Sequence, residues 1–335
     1  MTRVALGQSK MGTKPIAAFL HLIVYVGFVL INIELLEIVL DGLLGSHRFF
    51  APLLGKFYDF LIGCFEVIAF LVLITVIVFW IRRNLTRIRR FWKPEMKGWP
   101  KMDADFILYF EIILMLLFLS MNATDSILQD RGTETYINAG SFPISQFLYP
   151  LFDGLNDEVL IIFERSFWWA HIIGILVFLN YLYYSKHLHI LLAFPNTFYA
   201  NLEPKGRFEV DSQIKNEVML MMYPEKLISE NKVSPPDKFG ANDVFDLKWT
   251  QLMNAYSCTE CGRCSEVCPA NQTGKKLSPR KIMMDTRDRL EEVGKNIDAN
   301  KGVFKDDNKK LLNNYVSPEE LWACTTCNAC VDACP

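Results

Sequence analysis

Beyond Phe194 the sequence has no long apolar run, and beyond His189 it has no histidine. It has no Gly-rich phosphate loop and no dinucleotide fingerprint, which argues against a flavin or NAD bound by this chain. Charge of neither sign dominates: 35 Lys and Arg face 37 Asp and Glu, for a formal net charge of −2. The basic residues form no patch across the polar half, so no nucleic-acid partner is expected. Met1 to Pro15 carries Arg3, Lys10 and Lys14, but no small-residue cleavage site closes the apolar run that follows. That segment reads as a cytoplasmic lead-in to a retained membrane helix. What is present is segregated: hydrophobic residues make up 51% of the 335 and mean hydropathy is +0.17. Such values are high for a soluble chain and low for one that is membrane throughout.

Eight of the nine cysteines lie in the last quarter, in two copies of C-x2-C-x2-C-x3-C-P. The first runs Cys258, Cys261, Cys264, Cys268 and Pro269; the second runs Cys324, Cys327, Cys330, Cys334 and Pro335. This is the iron–sulfur run of two-cluster ferredoxins, in which the fourth cysteine of each run serves the other cluster. On that rule Cys258, Cys261, Cys264 and Cys334 hold one [4Fe–4S] cluster, and Cys324, Cys327, Cys330 and Cys268 hold the second. Zinc also takes four thiolates, but its sites usually use two CxxC pairs rather than triple runs with a trailing C-P. Clusters of thiol ligands of this spacing in a chain without a cleavable signal argue for metal rather than disulfides.

The apolar half holds four stretches near the 20 or so residues that a membrane helix needs. They are about Ile16–Leu44, Phe57–Ile81, Asp105–Met121 and Phe167–Ala193. The shortest, Asp105–Met121, could also be a buried soluble helix, but consistent topology requires it as a span. The loop from Arg82 to Lys101 carries eight basic residues against Glu95 alone, which places it in the cytoplasm. Both termini and the cysteine runs then lie inside, and the loops Gly45–Lys56 and Asn122–Ser166 outside. Trp168 and Trp169 would be interface anchors at the outer end of the fourth span. The lone Cys64 reads as a small core residue.

All five histidines fall in or beside these spans. His171 and His189 are eighteen residues apart, five turns of one helix, and so share a face. His187 must point elsewhere and reads as a polar interfacial residue. His21 lies near the inner end of the first span, and His47 follows its outer end. Axial ligation of b-type haem needs such pairs from facing helices. The expectation is an inner haem on His21 and His189, and an outer one on His47 and His171. Glu34, Glu37 and Asp41 share one face of the first span, and Glu66 lies in the second. Ionisable groups at that depth face a cavity or partner, and these four are candidates to take protons at a quinol site. The alternative is that the helix leaves the bilayer there and the acids are wet.

Pro195 would end the fourth span. Residues 196–248 form a mixed polar linker, with Val233-Ser234-Pro235-Pro236-Asp237 a linker by composition. Asp246 to Met253 resembles a capped helix leading into the first cysteine run. Fifty-five residues separate the runs. Helices should start at Ser278-Pro279, running to about Gly294, and at Ser317-Pro318-Glu319-Glu320. The fold class is therefore mainly α: a four-helix transmembrane bundle over 1–195, then a helical ferredoxin domain over 249–335 without a central sheet.

Cys258-Thr-Glu-Cys261-Gly-Arg-Cys264 and Trp322-Ala-Cys324-Thr-Thr-Cys327 resemble the helical ferredoxin domain of heterodisulfide reductase-type proteins. The four-span part, with His171 and His189 one above the other, resembles the cytochrome b (gamma) subunit of respiratory nitrate reductase. The fusion is similar to membrane-bound heterodisulfide reductase-like iron–sulfur oxidoreductases of anaerobic respiration. That resemblance implies haem b, one or two per chain, and exchange of electrons with a quinone, usually menaquinone. In the family the first haem helix carries two histidines, whereas here the matching outer position near Ile31 is apolar. Either His47 substitutes or the outer haem is missing. Relatives often continue past the second run into a catalytic domain with CCG motifs. Here either the chain continues beyond Pro335 or a separate subunit supplies that chemistry.

The reading is a multi-pass protein of a bacterial or archaeal cytoplasmic membrane. It would pass electrons between quinone, haem b and two cytoplasmic clusters, and on to or from a heterodisulfide reductase-like partner. Cluster potentials span too wide a range for the ligands to set the direction of flow. The alternatives are a complete quinone-linked reductase or a membrane-anchored redox sensor.

Overall fold

Each of the four long apolar stretches forms one helix, and capping residues set where each begins and ends. Helix α1 spans Pro15–Leu44, with proline in its first turn. It stops at Gly45, whose φ of +67° suits glycine and whose N–H returns to the Asp41 carbonyl at 2.9 Å. Helix α2 spans Lys56–Asn84, and α3 spans Trp99–Asp130 after Gly98. Helix α4 spans Asp157–Leu182, capped by the Asn156 side chain, which accepts from the Val159 N–H at 2.9 Å. All four are long and apolar enough to cross a membrane. The structure, a computed structural model, describes residues 1–204, 212–223, 238 and 240–335. The linker expected at Val233–Asp237 lies outside these residues.

Two compact units result: Met11–Ser185, and Met1–Lys10 together with Lys186–Pro335. In the first, α1 packs on α2, α2 on α3, and α3 on α4. Its core includes Ile38, Ala69, Leu73, Phe118, Leu119 and Ile172. A Cβ on Gly27 would come within 2.6 Å of Val72, so only glycine lets α1 approach α2 this closely. Outward, Phe19, Val29, Phe60, Leu71, Ile113, Leu116, Ile173 and Leu176 are exposed. Apolar surface of this kind on all four helices costs roughly 25 cal/mol per Å² in water, and lipid removes that cost.

The ends of two spans differ from the sequence expectation. Helix α3 continues nine residues past Met121, because Asn122, Thr124, Asp125 and Gln129 are buried partners rather than loop residues. Helix α4 starts ten residues before Phe167 and ends at Leu182. There the backbone tightens, with Tyr184 N–H bonding the Tyr181 carbonyl and Ser185 N–H bonding that of Leu182. Trp168 is therefore well inside the helix rather than at its end, and it packs where a Cβ on Gly42 would meet its ring at 2.8 Å. His189 is not on α4. It opens a separate helix, α5, His189–Phe198, so the eighteen-residue spacing to His171 does not run along one helix. Pro195 lies inside α5 and does not end it.

The second unit is also helical. Helix α6 spans Trp249–Tyr256, α7 Arg263–Val267, α8 Pro279–Ala299, α9 Pro318–Trp322 and α10 Ala329–Ala333. Ser278 caps α8, and Ser317 caps α9 in a reciprocal capping box with Glu320. Among the described residues extended pairing is limited to one isolated bridge, Leu312 with Val316. Helix α5 packs on α6, with Asn196 Nδ2 donating to Asn254 Oδ1 at 2.8 Å and Tyr199 edge-on to Trp249 at 4.8 Å.

Arg289, fully buried on α8, ties the long insert between the cysteine runs to the segment before α6. Its guanidinium donates to Asp243 at 2.8 Å, to Asp307 at 2.6 Å and to the Lys309 carbonyl at 2.7 Å. Arg289→Ala strands two carboxylates and should cost about 3 kcal/mol, read as a lowered unfolding midpoint. A midpoint unchanged from wild type would show that this tie carries no stability.

Candidate redox centres

The two cysteine runs fold alike. The residue before the second cysteine has a left-handed backbone in each: Glu260 at φ +56° and Thr326 at +53°. The residue after it does too: Gly262 at +74° and Asn328 at +58°. These turns fold each CxxC back on itself and launch α7 and α10, which pack against each other. The fourth cysteine of each run thereby reaches the other run. Cys334 lies within electrostatic reach of Cys261 and Cys264, and Cys268 within reach of Cys330. Burial pushes the Cys258 thiol up to about 12 and that of Cys264 up to about 11, with neighbouring thiolates adding to both. Metal binding displaces the proton of such a thiol, as cluster iron would here. Cys334 is further anchored at its carbonyl, which accepts from Lys10 Nζ at 2.8 Å.

Exposure separates the two runs. Cys268 is buried, and Cys258, Cys261 and Cys264 are partly buried. Cys324, Cys327 and Cys334 are exposed, and Trp322 beside them is 88% exposed.

The histidines divide by their ring nitrogens. Nδ1 of His171, buried between α3 and α4, bonds the Leu114 carbonyl at 3.0 Å. Nδ1 of His189 bonds the Lys186 carbonyl at 3.0 Å. A carbonyl partner makes Nδ1 the protonated nitrogen and leaves Nε2 with a lone pair, the form a metal-ligating histidine takes. Both therefore fit axial ligation of haem. His47 is engaged at both nitrogens: Nε2 with Asp125 at 2.9 Å, and Nδ1 with the Ile137 N–H at 3.3 Å. As placed, it would have to release Asp125 to bind iron. His21 lies on α1, in the first unit, whereas His189 belongs to the second.

Three acids of α1 gather at the end of the bundle away from the Arg82–Lys101 loop, whereas Asp105 pairs with Arg83 and Lys101 at the other end. Glu34, Glu37 and Asp41 line a small cleft, with about 30 Å³ of free space, together with Arg48, Asp125 and Glu164. Asp41 caps the loop after α1, accepting from the backbone N–H of Arg48 at 2.9 Å and of Phe49 at 3.0 Å. Glu37 accepts from Tyr58 Oη and from the Phe50 N–H, both at 2.8 Å. Glu34 is 3% exposed, and its Oε2 has no hydrogen-bond partner among the described residues. Glu66 is placed differently. It accepts from Asn122 at 3.1 Å, from the Ile144 N–H at 2.9 Å, and from the N–H and hydroxyl of Ser145, which ties the loop before α4 to α2.

Sequence reasoning missed the centre of this cluster. Arg48 is buried and donates to Asp125 through Nε at 2.9 Å and Nη2 at 2.5 Å, to Asn122 at 3.1 Å and to Tyr58 at 3.2 Å. Burial alone would weaken its hold on a proton, but Asp125 and Tyr58 more than offset that and hold it well above the ordinary guanidinium value. The available signal was an arginine directly after His47 in a loop otherwise short of basic residues.

Fold and site together define a chain that joins four membrane-length helices to a domain built to hold two iron–sulfur clusters. Residues 257–335, which hold both cysteine runs, match the family model of the 4Fe-4S dicluster domain, which supports [4Fe–4S] clusters in this part of the chain. Over 98% of its length the chain is 28% identical to a protein of Bacillus subtilis named a probable iron-sulfur-binding oxidoreductase, FadF. Over 98% it is also 26% identical to the EtfAB:quinone oxidoreductase of Syntrophomonas wolfei. A third similarity, 32% over 29% of the chain and 16% of the relative, is to a probable membrane-anchored ferredoxin of Chromohalobacter salexigens. The chain spans less than half of the first two relatives, 46% and 45% of their lengths. No solved structure matches it. The protein is thus similar to iron–sulfur oxidoreductases along nearly its whole length.

Proposed function

We propose that the chain is a membrane electron conduit, exchanging electrons between a quinone in the bilayer and a cytoplasmic partner through haem b and two [4Fe–4S] clusters. The observation that carries this reading is the union, on one chain, of a dicluster domain with four membrane-length helices. The basic loop Arg82–Lys101 favours a cytoplasmic position for it, which puts the dicluster domain and both termini inside. The cleft of Glu34, Glu37 and Asp41 then opens toward the outer face, where quinol oxidation would release protons. A relative named for quinone supports that substrate class. The exposed second run and Trp322 suit delivery to a soluble partner. A heterodisulfide reductase-like, CCG-type domain or subunit is the partner that the resemblance implies. His189 and His171 are the leading haem ligands, with His21 and His47 as their proposed counterparts, and haem would supply one-electron exchange inside the bilayer. The chain's own residues set the imidazole orientation, exclude water and hold the proton-accepting carboxylates.

Glu34→Gln and Glu37→Gln should slow quinol-dependent reduction of the clusters at least about tenfold, the scale on which a lost proton acceptor acts. Reduction by dithionite should not change. Quinol rates equal to wild type in both variants would remove the cleft from the mechanism.

A further inference from the structure

Within the second unit, the CxxC loop of the first run is pinned by ions in a way that the second run is not. Glu260 is 3% exposed, lies between Cys258 and Cys261, and forms ion pairs with two partly buried cations. Lys186 Nζ, on the turn that leads into α5, bonds one carboxylate oxygen, and Arg287 Nη2 on α8 bonds the other at 2.8 Å. The turn itself does not require a carboxylate, because Thr326 builds the same left-handed backbone in the second run without one. Thr326 is exposed, and its N–H bonds Cys324 Sγ at 3.4 Å, as the Glu260 N–H bonds the Cys258 thiol, so the two loops differ in their ion pairs and not in this bond. Burying the Glu260 carboxylate costs desolvation that its two partly buried cations must offset, so a position that keeps one where threonine suffices has a use for the charge. That use is local. Arg287 lies within electrostatic reach of Cys258, so the triad sits against the first cluster's ligands; its own net charge is +1, and the more exposed Asp288, 3.6 Å from Arg287 Nε, offsets part of that. The Lys186 carbonyl also accepts from His189 Nδ1 at 3.0 Å, so one residue contacts both the cluster loop and the histidine of α5.

We propose that Lys186, Glu260 and Arg287 form a positioning triad that raises the reduction potential of the first cluster relative to the second and holds the His189 imidazole in register with it. Cluster potential follows net charge near the sulfurs. The added electron is stabilised by the two cations and opposed by the carboxylate, so the three side chains act with opposite signs. This rests on the cysteine ligand assignment and not on quinone as substrate. Cluster assembly is read from the intensity of the electron paramagnetic resonance signals, and the triad's effect from their midpoint potentials.

In the full chain, Lys186→Gln and Arg287→Gln should each lower the midpoint of the first cluster and Glu260→Gln should raise it, while the second cluster stays put. Lys276→Gln, at a cation on the surface, serves as the control and should move neither. Shifts of one sign in all three variants, or shifts no larger than the control's, would overturn the proposal. If Glu260→Gln does not assemble its cluster, the two cation variants still decide: a downward shift confined to the first cluster supports the triad, and no shift or an upward one refutes it. A merely structural clamp would lower cluster occupancy without ordering the potentials by the sign of the charge removed.

Discussion

Cys268→Ser should abolish the cluster built on Cys324, Cys327 and Cys330 and spare the cluster built on the other three cysteines of its own run. Cys334→Ser should do the reverse, and Cys327→Ser should behave like Cys268→Ser. Each variant would retain about half the iron and one of two electron paramagnetic resonance signals, with any haem bands intact. The expectation follows from the packing of α7 on α10, which brings Cys334 toward Cys261 and Cys264, and Cys268 toward Cys330. Loss of the own-run cluster in Cys268→Ser would mean that each run closes on itself. The backbone argues against that, because Cys268 and Cys334 each begin an extended residue that leads out of the short helix. After Cys268, Pro269 opens a further short helix, Pro269–Gln272.

The second large effect is expected at Arg48. Asp125→Ala would leave a buried guanidinium without its main counter-charge and should cost about 3–5 kcal/mol. It would be seen as a lowered unfolding midpoint in detergent or nanodiscs. Asp125→Asn, which keeps the hydrogen bonds to His47 and Arg48 possible, should lose less. The pair Arg48→Met with Asp125→Leu should recover most of the loss, because two buried charges replaced by apolar groups leave none unpaired. If Asp125→Ala cost less than about 1 kcal/mol, Arg48 would have to be solvated in the cleft rather than held by Asp125. The same experiment bears on His47, whose Nε2 partner is also Asp125.

The sequence is most legible where chemistry demands contiguity. Iron–sulfur ligation draws three cysteines of each expected cluster from one short run, so the dicluster region is legible from spacing alone. Hydropathy likewise found four spans, because each apolar stretch has to be continuous. The helix ends were not legible by that means. Asp157 and Glu158 resemble loop acids by composition, yet behind the Asn156 cap they favour the positive end of α4. Asn122, Asp125 and Gln129 resemble loop residues until Arg48, His47 and Ala139 are seen to use them. The break at Tyr183–Ser185, which moves His189 off α4, carries neither glycine nor proline to announce it. The tie from Lys10 to Cys334 joins residues 324 positions apart and leaves no local trace. Lys186, Glu260 and Arg287 meet from three elements for the same reason.

In the proposed conduit, electrons pass between a membrane quinone and the two clusters along this one chain. The most direct test is stopped-flow reoxidation of the dithionite-reduced protein in vesicles by a menaquinone analogue, following cluster absorbance. Both clusters should be reoxidised, and His189→Ala should slow this at least about tenfold, or about 1.4 kcal/mol of barrier, while cluster content stays constant. Clusters that remain reduced in the presence of the quinone, or that reoxidise at the same rate in His189→Ala, would contradict it.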